Sequence, residues 1–145
     1  MDSEAETSQA RVIWLLRRAF HSVEATKEIR LRPTGVTPAN YAILISLGTS
    51  PGLTSAEVAR RLQVTPQNIA GLISKLETAG WVERRVHPLH AHVRELHLTQ
   101  EGEGALARAD AIVSQLEADV TSQLSENDAA GLRSALLQLE KVASA

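Results

Sequence analysis

The stretch TSAEVARRLQVTPQNIAGLISKLETAGWVERR, residues 54–85, decides the fold of this chain. Thr54 is followed three residues later by Glu57, the spacing of a capping box, so we expect a helix that starts there and ends near Leu62. A two-residue turn follows, and then Thr65 offers an N-cap hydroxyl, with a proline after it at the first helical position, where no amide proton is needed. The pattern predicts two short helices joined by a tight turn.

The second of these helices has an apolar stripe and a polar face. The apolar positions recur at the three-to-four spacing of one helical face: Ile69, Leu72, Ile73 and Leu76. The opposite face carries Gln67, Gly71, Ser74 and Thr78, flanked by Asn68 and Lys75. This face is short, polar and nearly free of acidic residues, its amides are suited to pairing with adenine, and its glycine permits close approach. The pattern favours a recognition helix that lies in a DNA major groove.

A predicted β-hairpin follows the second helix directly. Gly80 is expected to end the helix, and residues 80–86 alternate so that Val82 and Val86 share a face, as in a half-buried strand. A turn-rich segment, residues 87–92, leads to a second strand at residues 93–98. Helix, turn, helix and hairpin in this order predict a winged helix-turn-helix. The alternative is a helix pair from a bundle that never touches DNA.

Length and composition exclude several classes of protein. The 145 residues suffice for one domain, residues 1–145, and they include no cysteine, so disulfides and thiolate metal sites are excluded. There is no apolar run of membrane-spanning length and no signal-peptide pattern, so we expect a cytoplasmic protein without a membrane partner. His21, Glu24 and Glu28 share a helical spacing, but no catalytic motif accompanies them. Neither enzyme activity nor a cofactor is expected.

The net charge of −2 hides an uneven distribution. Residues 1–53 carry +1, residues 54–100 carry +2 and residues 101–145 carry −5. The positive charge therefore lies in the predicted winged segment, where a nucleic-acid partner would need it. The acidic segment is expected to face away from DNA.

Long amphipathic helices flank the winged part on both sides. Residues 8–32 and 99–143 carry more apolar stripes than one small winged part, residues 37–98, can cover. We therefore expect a mainly α fold with a small β-hairpin wing, in which the N- and C-terminal helices form a homodimer. Dimerisation would bury the stripes and place two recognition helices in successive grooves. The alternative is a single-chain bundle that buries the same stripes internally.

In the order of its elements and in two motifs, the chain resembles the MarR family of bacterial transcriptional regulators. The motifs are VTPQNIAGLISKLETAGWVERR (residues 64–85) and HLTQEGE (residues 97–103). The second resembles the family's leucine-threonine-x-x-glycine link between the wing and the dimer helix. The resemblance implies a homodimeric repressor, less often an activator, that reads an inverted repeat in double-stranded DNA. It also implies release by a small phenolic or amphipathic effector bound between the dimer helices and the winged part.

The resemblance also implies roles for individual residues. It places base contacts at Gln67, Asn68 and Ser74, and phosphate contacts at Ser55, Thr65 and Lys75. The chain departs from the family at the wing tip, where an aspartate-x-arginine is common, because His90 and His92 occupy those positions. Either Arg94 or a protonated His92 would then enter the minor groove, since a narrow minor groove attracts cations.

Two further hypotheses concern small ligands. Four histidines lie close together at positions 87, 90, 92 and 97, and the H-x2-H-x-H spacing of the first three could suit a metal. No carboxylate intervenes in that spacing, so solvent-facing or DNA-facing histidines are favoured over a metal-responsive regulator. A winged-helix module that binds protein instead of DNA is the third class. The candidate effector residues are Trp14, Arg18, His21 and Tyr41, and Phe20 is a further aromatic near the expected cleft. The aromatic residues also fit core packing, and Arg18 and His21 also fit solvent exposure.

Overall fold

The structure is a computed structural model that describes residues 10–144. Within that range the helices are α1 (Val12–Leu31), α2 (Pro38–Thr49), α3 (Ser55–Leu62), α4 (Pro66–Thr78), α5 (Gln100–Thr121) and α6 (Glu126–Ala143), and the strands are β1 (Val82–Val86) and β2 (Arg94–Leu98). The predicted fold class, mainly α with a β-hairpin wing, is confirmed. Residues 8 and 9 of the predicted first helix lie outside the described residues. No described helix combines the length and apolar character needed to cross a membrane.

The chain divides into two compact units, Met1–Ile112 and Val113–Ala145. Each of the helices α2, α3 and α4 and the strand β2 contributes to the core of the first unit. The side chains with less than 2% exposure there include Ile43, Leu44, Leu47, Val58, Ile69, Ile73, Leu76 and Leu96. The helix-turn-helix and the base of the hairpin therefore share one core, which fixes the outward face of α4 relative to the hairpin.

The two helices of the helix-turn-helix begin as predicted. The Thr54 hydroxyl accepts a hydrogen bond from the Glu57 amide, and the Glu57 carboxylate accepts one from the Thr54 amide, which completes the capping box of α3. Gln63 adopts the left-handed conformation, φ 55°, and ends α3. The Thr65 hydroxyl then caps α4 by accepting from the Asn68 amide at 3.2 Å. Local chemistry alone accounts for this turn.

Helix α2 does not end at its glycine. It continues through Gly48 to Thr49 and is capped by Ser50, whose ψ of 77° lies outside the helical region. Pro51 explains this end, because a proline ring disfavours the helical conformation in the residue before it. The helix-breaking signal was therefore the proline and not the glycine.

The hairpin begins at a glycine turn and pairs in simple register. After α4 the amide of Gly80, φ 80°, donates to the Glu77 carbonyl, and the amide of Trp81 donates to the Leu76 carbonyl. This is a Schellman motif, which satisfies the last carbonyls of the helix. Strands β1 and β2 then pair antiparallel, with Val82 opposite Leu98 and the remaining pairs in sequence to the wing end.

The prediction that Val82 and Val86 lie on one half-buried face is wrong for the second residue. Val82 is buried, whereas Val86 is 54% exposed. Both side chains have the same parity in β1, but the core ends at the base of the hairpin. Strand alternation predicts a shared face and not how far the core extends beneath it.

The hairpin joins α5 through Thr99 and Gly102. The Thr99 hydroxyl donates to the Gly80 carbonyl at 2.6 Å and accepts from the Gly102 amide at 3.0 Å, and the Thr99 amide donates to the Trp81 carbonyl. Gly102 is buried, and a Cβ atom there would clash with the Trp81 carbonyl oxygen. The leucine-threonine-x-x-glycine motif therefore reflects a backbone contact that only glycine allows.

The long flanking helices leave their apolar side chains exposed within the single chain. In α1 only Leu31 is buried. The exposed large apolar residues of α1 are Val12, Ile13, Trp14, Leu15, Leu16, Phe20, Val23 and Ile29. Those of α6 are Leu132, Leu136, Leu137, Leu139 and Val142, and the Ser125 hydroxyl caps this helix by accepting from the Asp128 amide. The alternative of a single-chain bundle that buries these stripes does not match the observed exposure.

Candidate nucleic-acid interface and adjoining cavities

The outward face of α4 is exposed along its length. Gln67, Gly71, Ser74 and Thr78 are all exposed, as are the flanking Asn68 and Lys75. Ile69, Ile73 and Leu76 hold the opposite face in the core, which orients the polar face toward solvent. Nothing lies within 4 Å of a Cβ built on Gly71, so the middle of this face is open. The polar face of α4 can therefore enter a DNA major groove without displacement of any core side chain.

Two of the three residues predicted to contact phosphate, Ser55 and Thr65, lie at helix N-termini. Thr65 is the N-cap of α4, and its hydroxyl oxygen accepts a backbone hydrogen bond, so its proton is free to donate to a phosphate oxygen. Ser55 is the first residue of α3 and is half-buried. Lys75 lies in the last turn of α4 and is exposed. Free amides and positive helix ends at such positions favour anions.

The arginines of the hairpin are partly neutralised by neighbouring carboxylates. Arg84 Nε lies 2.6 Å from Glu77 Oε1, at the end of α4, and Arg85 Nε lies 2.8 Å from Glu83 Oε1. The charge count along the sequence did not show this pairing. The Glu83–Arg85 pair was visible in the sequence, because residues two apart in a strand share a face. The Glu77–Arg84 pair depends on the turn at Gly80.

The wing tip holds the remaining predicted DNA contacts. His90, His92 and Arg94 are exposed, and the Arg94 guanidinium donates to the Ala91 carbonyl at 2.9 Å. The His87 and His90 rings stack with centroids 5.0 Å apart. Arg94 therefore braces the loop at its base and would have to release this carbonyl to reach a groove.

Glu95 of β2, outside the H-x2-H-x-H segment, contacts two of the wing histidines. Glu95 Oε2 lies 2.9 Å from His97 Nε2, and Glu95 Oε1 lies 3.6 Å from His87 Nε2. The strand order explains this placement, because Glu95 and His97 share a face of β2. Among the described residues, however, no group of three or more histidine or acidic side chains is arranged so that it could hold a metal ion.

A cavity of about 480 Å³ adjoins the helix-turn-helix; we call it the turn cavity. It is open to solvent and lies between the middle of α1, the start of α2 and the turn before α4. Its lining comprises Phe20, Glu24, Lys27, Pro38, Ala39, Tyr41, Ala42, Ile45, Ser46, Leu62, Val64, Asn68, Ile69 and Leu72. Val64 and Asn68 belong to the predicted DNA-binding elements, so an occupant would touch them directly.

Two polar pairs border the turn cavity. Lys27 Nζ lies 2.7 Å from Glu24 Oε1, so the cation of the cavity already has a partner. The Tyr41 hydroxyl donates to Asp110 Oδ1 at 2.7 Å and joins α2 to α5. Burial and, to a lesser extent, the hydrogen bond and charge of Asp110 raise the pKa of Tyr41 well above its usual value. The phenol therefore stays protonated and bonded to this carboxylate at neutral pH.

Of the four residues predicted near an effector, the structure brings only Tyr41 to the turn cavity. Trp14, Arg18 and His21 are exposed on α1 and do not line it, and His21 meets Phe20 edge-to-face at 5.8 Å. Phe20, which was expected near the cleft, also lines the cavity, whereas Glu24 and Lys27 were not predicted there. The spacing of four and three residues from Phe20 to Glu24 and Lys27 marks one helical face, which was the available signal.

A second cavity, of about 470 Å³, lies at the base of the hairpin. Its lining includes Gly48 of α2, Arg85 and His97 of the hairpin, and Leu106 and Asp110 of α5. Ile45 borders both cavities, and Asp110 joins this one to Tyr41 of the first. The two cavities therefore flank α2 and share one hydrogen-bonded pair.

Comparison with known proteins decides the family. The model of the MarR family matches residues 34–91. The HTH-type transcriptional repressor Rv2887 of Mycobacterium tuberculosis is 35% identical over 111 residues, which cover 77% of this chain and 80% of the relative. The chain belongs to the MarR family. The resemblance predicted from the sequence is therefore confirmed, and the family is one of DNA-binding transcriptional regulators.

Solved structures agree over nearly the whole chain. The transcriptional repressor CouR, bound to a 23-mer DNA duplex, superposes with a TM-score of 0.85 at 28% identity, covering 93% of this chain and 95% of CouR. Rv2887 in complex with salicylic acid superposes with a TM-score of 0.72 at 32% identity, covering 90% of this chain and 96% of that structure. The winged helix-turn-helix and both sets of flanking helices are thus shared features of the MarR fold.

Proposed function

We propose that this MarR-family protein is a homodimeric repressor that binds an inverted-repeat operator and is released by a small effector. The observation that carries the proposal is the outward face of α4, which is exposed, polar and free of acidic residues. An interaction module that used this face against protein would gain nothing from an acid-free amide surface, whereas a major groove rewards it. Double-stranded DNA, a second copy and the effector are the partners, and a cytoplasmic location gives access to DNA.

The base contacts are assigned to Gln67, Asn68 and Ser74, and the phosphate contacts to Ser55, Thr65 and Lys75. All six lie on α3, α4 or the cap between them, and only Ser55 is not fully exposed. The hairpin contributes His90, His92 and Arg94. The structure of CouR with DNA supports this use of a MarR fold, because CouR shares the fold over 95% of its length.

The dimer is assigned to the flanking helices. The apolar side chains exposed on α1 and α6 form stripes too extensive for a monomer in water. A symmetric contact between two copies would cover them and present two α4 helices to one duplex. The domain organisation follows: residues 37–98 bind DNA, and residues 8–32 and 99–143 dimerise, within a single domain of residues 1–145.

The effector is assigned to the turn cavity. An aromatic or amphipathic molecule fits its mainly apolar walls, and the complex of Rv2887 with salicylic acid shows that a relative binds such a compound. Bound there, it would contact Val64 and Asn68 and displace α4 from the position that DNA requires. Trp14, Arg18 and His21, which a single chain leaves exposed, would complete the site only in the dimer. The chain is assigned neither a catalytic role nor a cofactor.

Selection of bound duplexes from a random DNA pool tests the DNA-binding part of this proposal. We expect a pseudo-palindrome of roughly 16 to 20 base pairs, because two recognition helices in successive grooves lie about one helical turn apart. Enrichment of no sequence, with equal weak binding to all duplexes, would overturn the assignment of a sequence-specific regulator.

Release from the selected operator tests the effector part. Substituted benzoates and hydroxycinnamates, titrated against the complex in a mobility shift, should release DNA from the wild type. Ala42→Trp would fill the turn cavity and should abolish release, whereas Ala107→Trp, at the base of the hairpin, should preserve it. The reverse result would move the effector to the second cavity.

A further inference from the structure

The tip of the wing is an apolar residue on a preformed loop. Leu89 is 83% exposed, the largest exposure among the large apolar side chains of the described residues. It lies in the segment RRVHPLHAHVR, residues 84–94, which contains three arginines, three histidines and no acidic residue. A loop of this composition can approach phosphates without repulsion, yet its apex carries no permanent charge.

The loop is held in shape by its own hydrogen bonds. The Leu89 amide donates to His87 Nδ1 at 3.0 Å, the His87 amide donates to the Val93 carbonyl, and the Val93 amide donates to the His90 carbonyl. The His87–His90 stack and the Arg94 contact to Ala91 close it further. Leu89 is thus presented on an ordered turn, which lowers the entropy lost when the loop is immobilised by a partner.

The surrounding cations are already committed. Arg84 and Arg85 pair with Glu77 and Glu83, and Arg94 braces the loop. The tip therefore has little free charge with which to read a narrow minor groove. Apolar side chains act differently in that groove, because a leucine or a proline can insert between base pairs, unstack the step and bend the duplex.

We propose that Leu89 is a minor-groove wedge that inserts at a flexible base step on each flank of the operator and bends the DNA. The proposal rests on the proposed function as a DNA-binding dimer, and it assigns specificity to base pairs outside the reach of α4. Pyrimidine–purine steps unstack most easily, so a TA or CA step is expected at the flanks. Pro88, beside the leucine, stiffens the turn.

Base fluorescence tests the wedge. Single 2-aminopurine bases are placed in turn along both flanks of the selected operator, and fluorescence is measured with the full-length protein at saturation. A stacked 2-aminopurine is quenched, so the wild type should raise the fluorescence at one step on each flank. Leu89→Ala should abolish the rise and weaken operator binding by about tenfold, the order expected for loss of a buried leucine contact. Leu89→Met should retain both signals.

Val86→Ala is the matched control. Val86 is also an exposed apolar residue of the hairpin, at 54%, but it lies in β1 and not at the tip. It should leave fluorescence and affinity unchanged, and thermal melting should show that all three variants fold. The wedge is contradicted, and the proposed function stands, if the wild type binds its operator without a rise in fluorescence at any flanking base. An equal rise in fluorescence with Leu89→Ala would contradict the wedge in the same way. If the wild type prefers no duplex at all, both are wrong.

Discussion

We expect individual side chains of α4 to divide between reading bases and positioning the helix on DNA. Gln67 and Lys75 are both exposed, but only the amide can pair bidentately with a base. We expect Gln67→Ala to cost about 1–3 kcal/mol at the operator and to relax base preference there. Lys75→Ala should weaken binding to all sequences alike and reduce the salt slope by about one unit per subunit. Titrations on operator and scrambled duplexes at several salt concentrations measure this; an identical loss for both variants would place the readout face elsewhere.

Tyr41 makes stability depend on alkaline pH. An unfolded-state tyrosine loses its proton near pH 10, whereas burial and Asp110 raise the pKa of the folded one. Above about pH 10 the folded state therefore binds more protons than the unfolded state. The contribution of Tyr41 to the free energy of unfolding is thus constant below that pH and falls as the pH rises further. Tyr41→Phe should remove this part of the slope and cost about 1 kcal/mol at neutral pH.

The check on Tyr41 is direct, because it is the only tyrosine in the chain. Its ionisation can be followed by ultraviolet absorbance while urea denaturation is measured from pH 8 to 12. If wild type and Tyr41→Phe lose stability in parallel above pH 10, the slope of the free energy of unfolding against pH comes from lysines and not from Tyr41. A phenol that titrates near pH 10 in the folded protein would contradict the Asp110 contact.

At the scale of elements, the junction between hairpin and α5 depends on the lack of a side chain at Gly102. Gly102→Ala would drive a methyl group into the Trp81 carbonyl, and overpacking of this kind costs about 1–3 kcal/mol. Gly104→Ala is the matched control two residues along α5, where a Cβ meets only the flexible end of Arg108 at 3.6 Å. The control should stabilise by up to about 1 kcal/mol. Chemical denaturation decides, and equal effects of the two substitutions would contradict the close contact.

Helix α4 offers a test that separates stability from binding. Gly71 and Gly131 both lie inside helices with open space around them, so alanine at either should stabilise the fold by about 1 kcal/mol. If the face of α4 lies against base edges, only Gly71→Ala should weaken operator binding, because its methyl group would occupy the interface. Unchanged DNA affinity for Gly71→Ala would contradict the proposal that this face lies in the major groove.

At the scale of the whole molecule, the exposed stripes of the flanking helices call for a partner chain. Ile13, 82% exposed on α1, lies among seven other exposed large apolar residues of that helix. We expect a dimer at micromolar concentration by light scattering, and Ile13→Glu should shift it toward monomer, since a buried unpaired carboxylate is costly. Val86→Glu, an equal change on the hairpin, should leave the dimer intact. If the wild type were a monomer, the proposal that two recognition helices of one dimer bind successive grooves of the operator would be wrong.

The sequence alone determined the elements and their order, because the signals are local. Thr54 and Glu57, Thr65, and Ser125 cap helices through groups within three residues, and the apolar period of α4 already identified its outward face. Two local signals compete at the end of α2, where Pro51 and not Gly48 determines the end of the helix. Even the backbone contact at Gly102 was visible as a motif, although its cause was not.

Only the tertiary structure decided what lies opposite each residue. It showed that the core ends beneath Val82 and that Glu77 forms an ion pair with Arg84. It also showed that Tyr41 donates a hydrogen bond to Asp110, 69 positions away in the sequence. It further showed that Tyr41 lines a cavity with Phe20, Glu24 and Lys27 of α1, whereas Trp14, Arg18 and His21 do not line it. Pairings between distant positions leave no period in a single sequence, because hydrophobic patterning records which face is buried but not which side chain it meets.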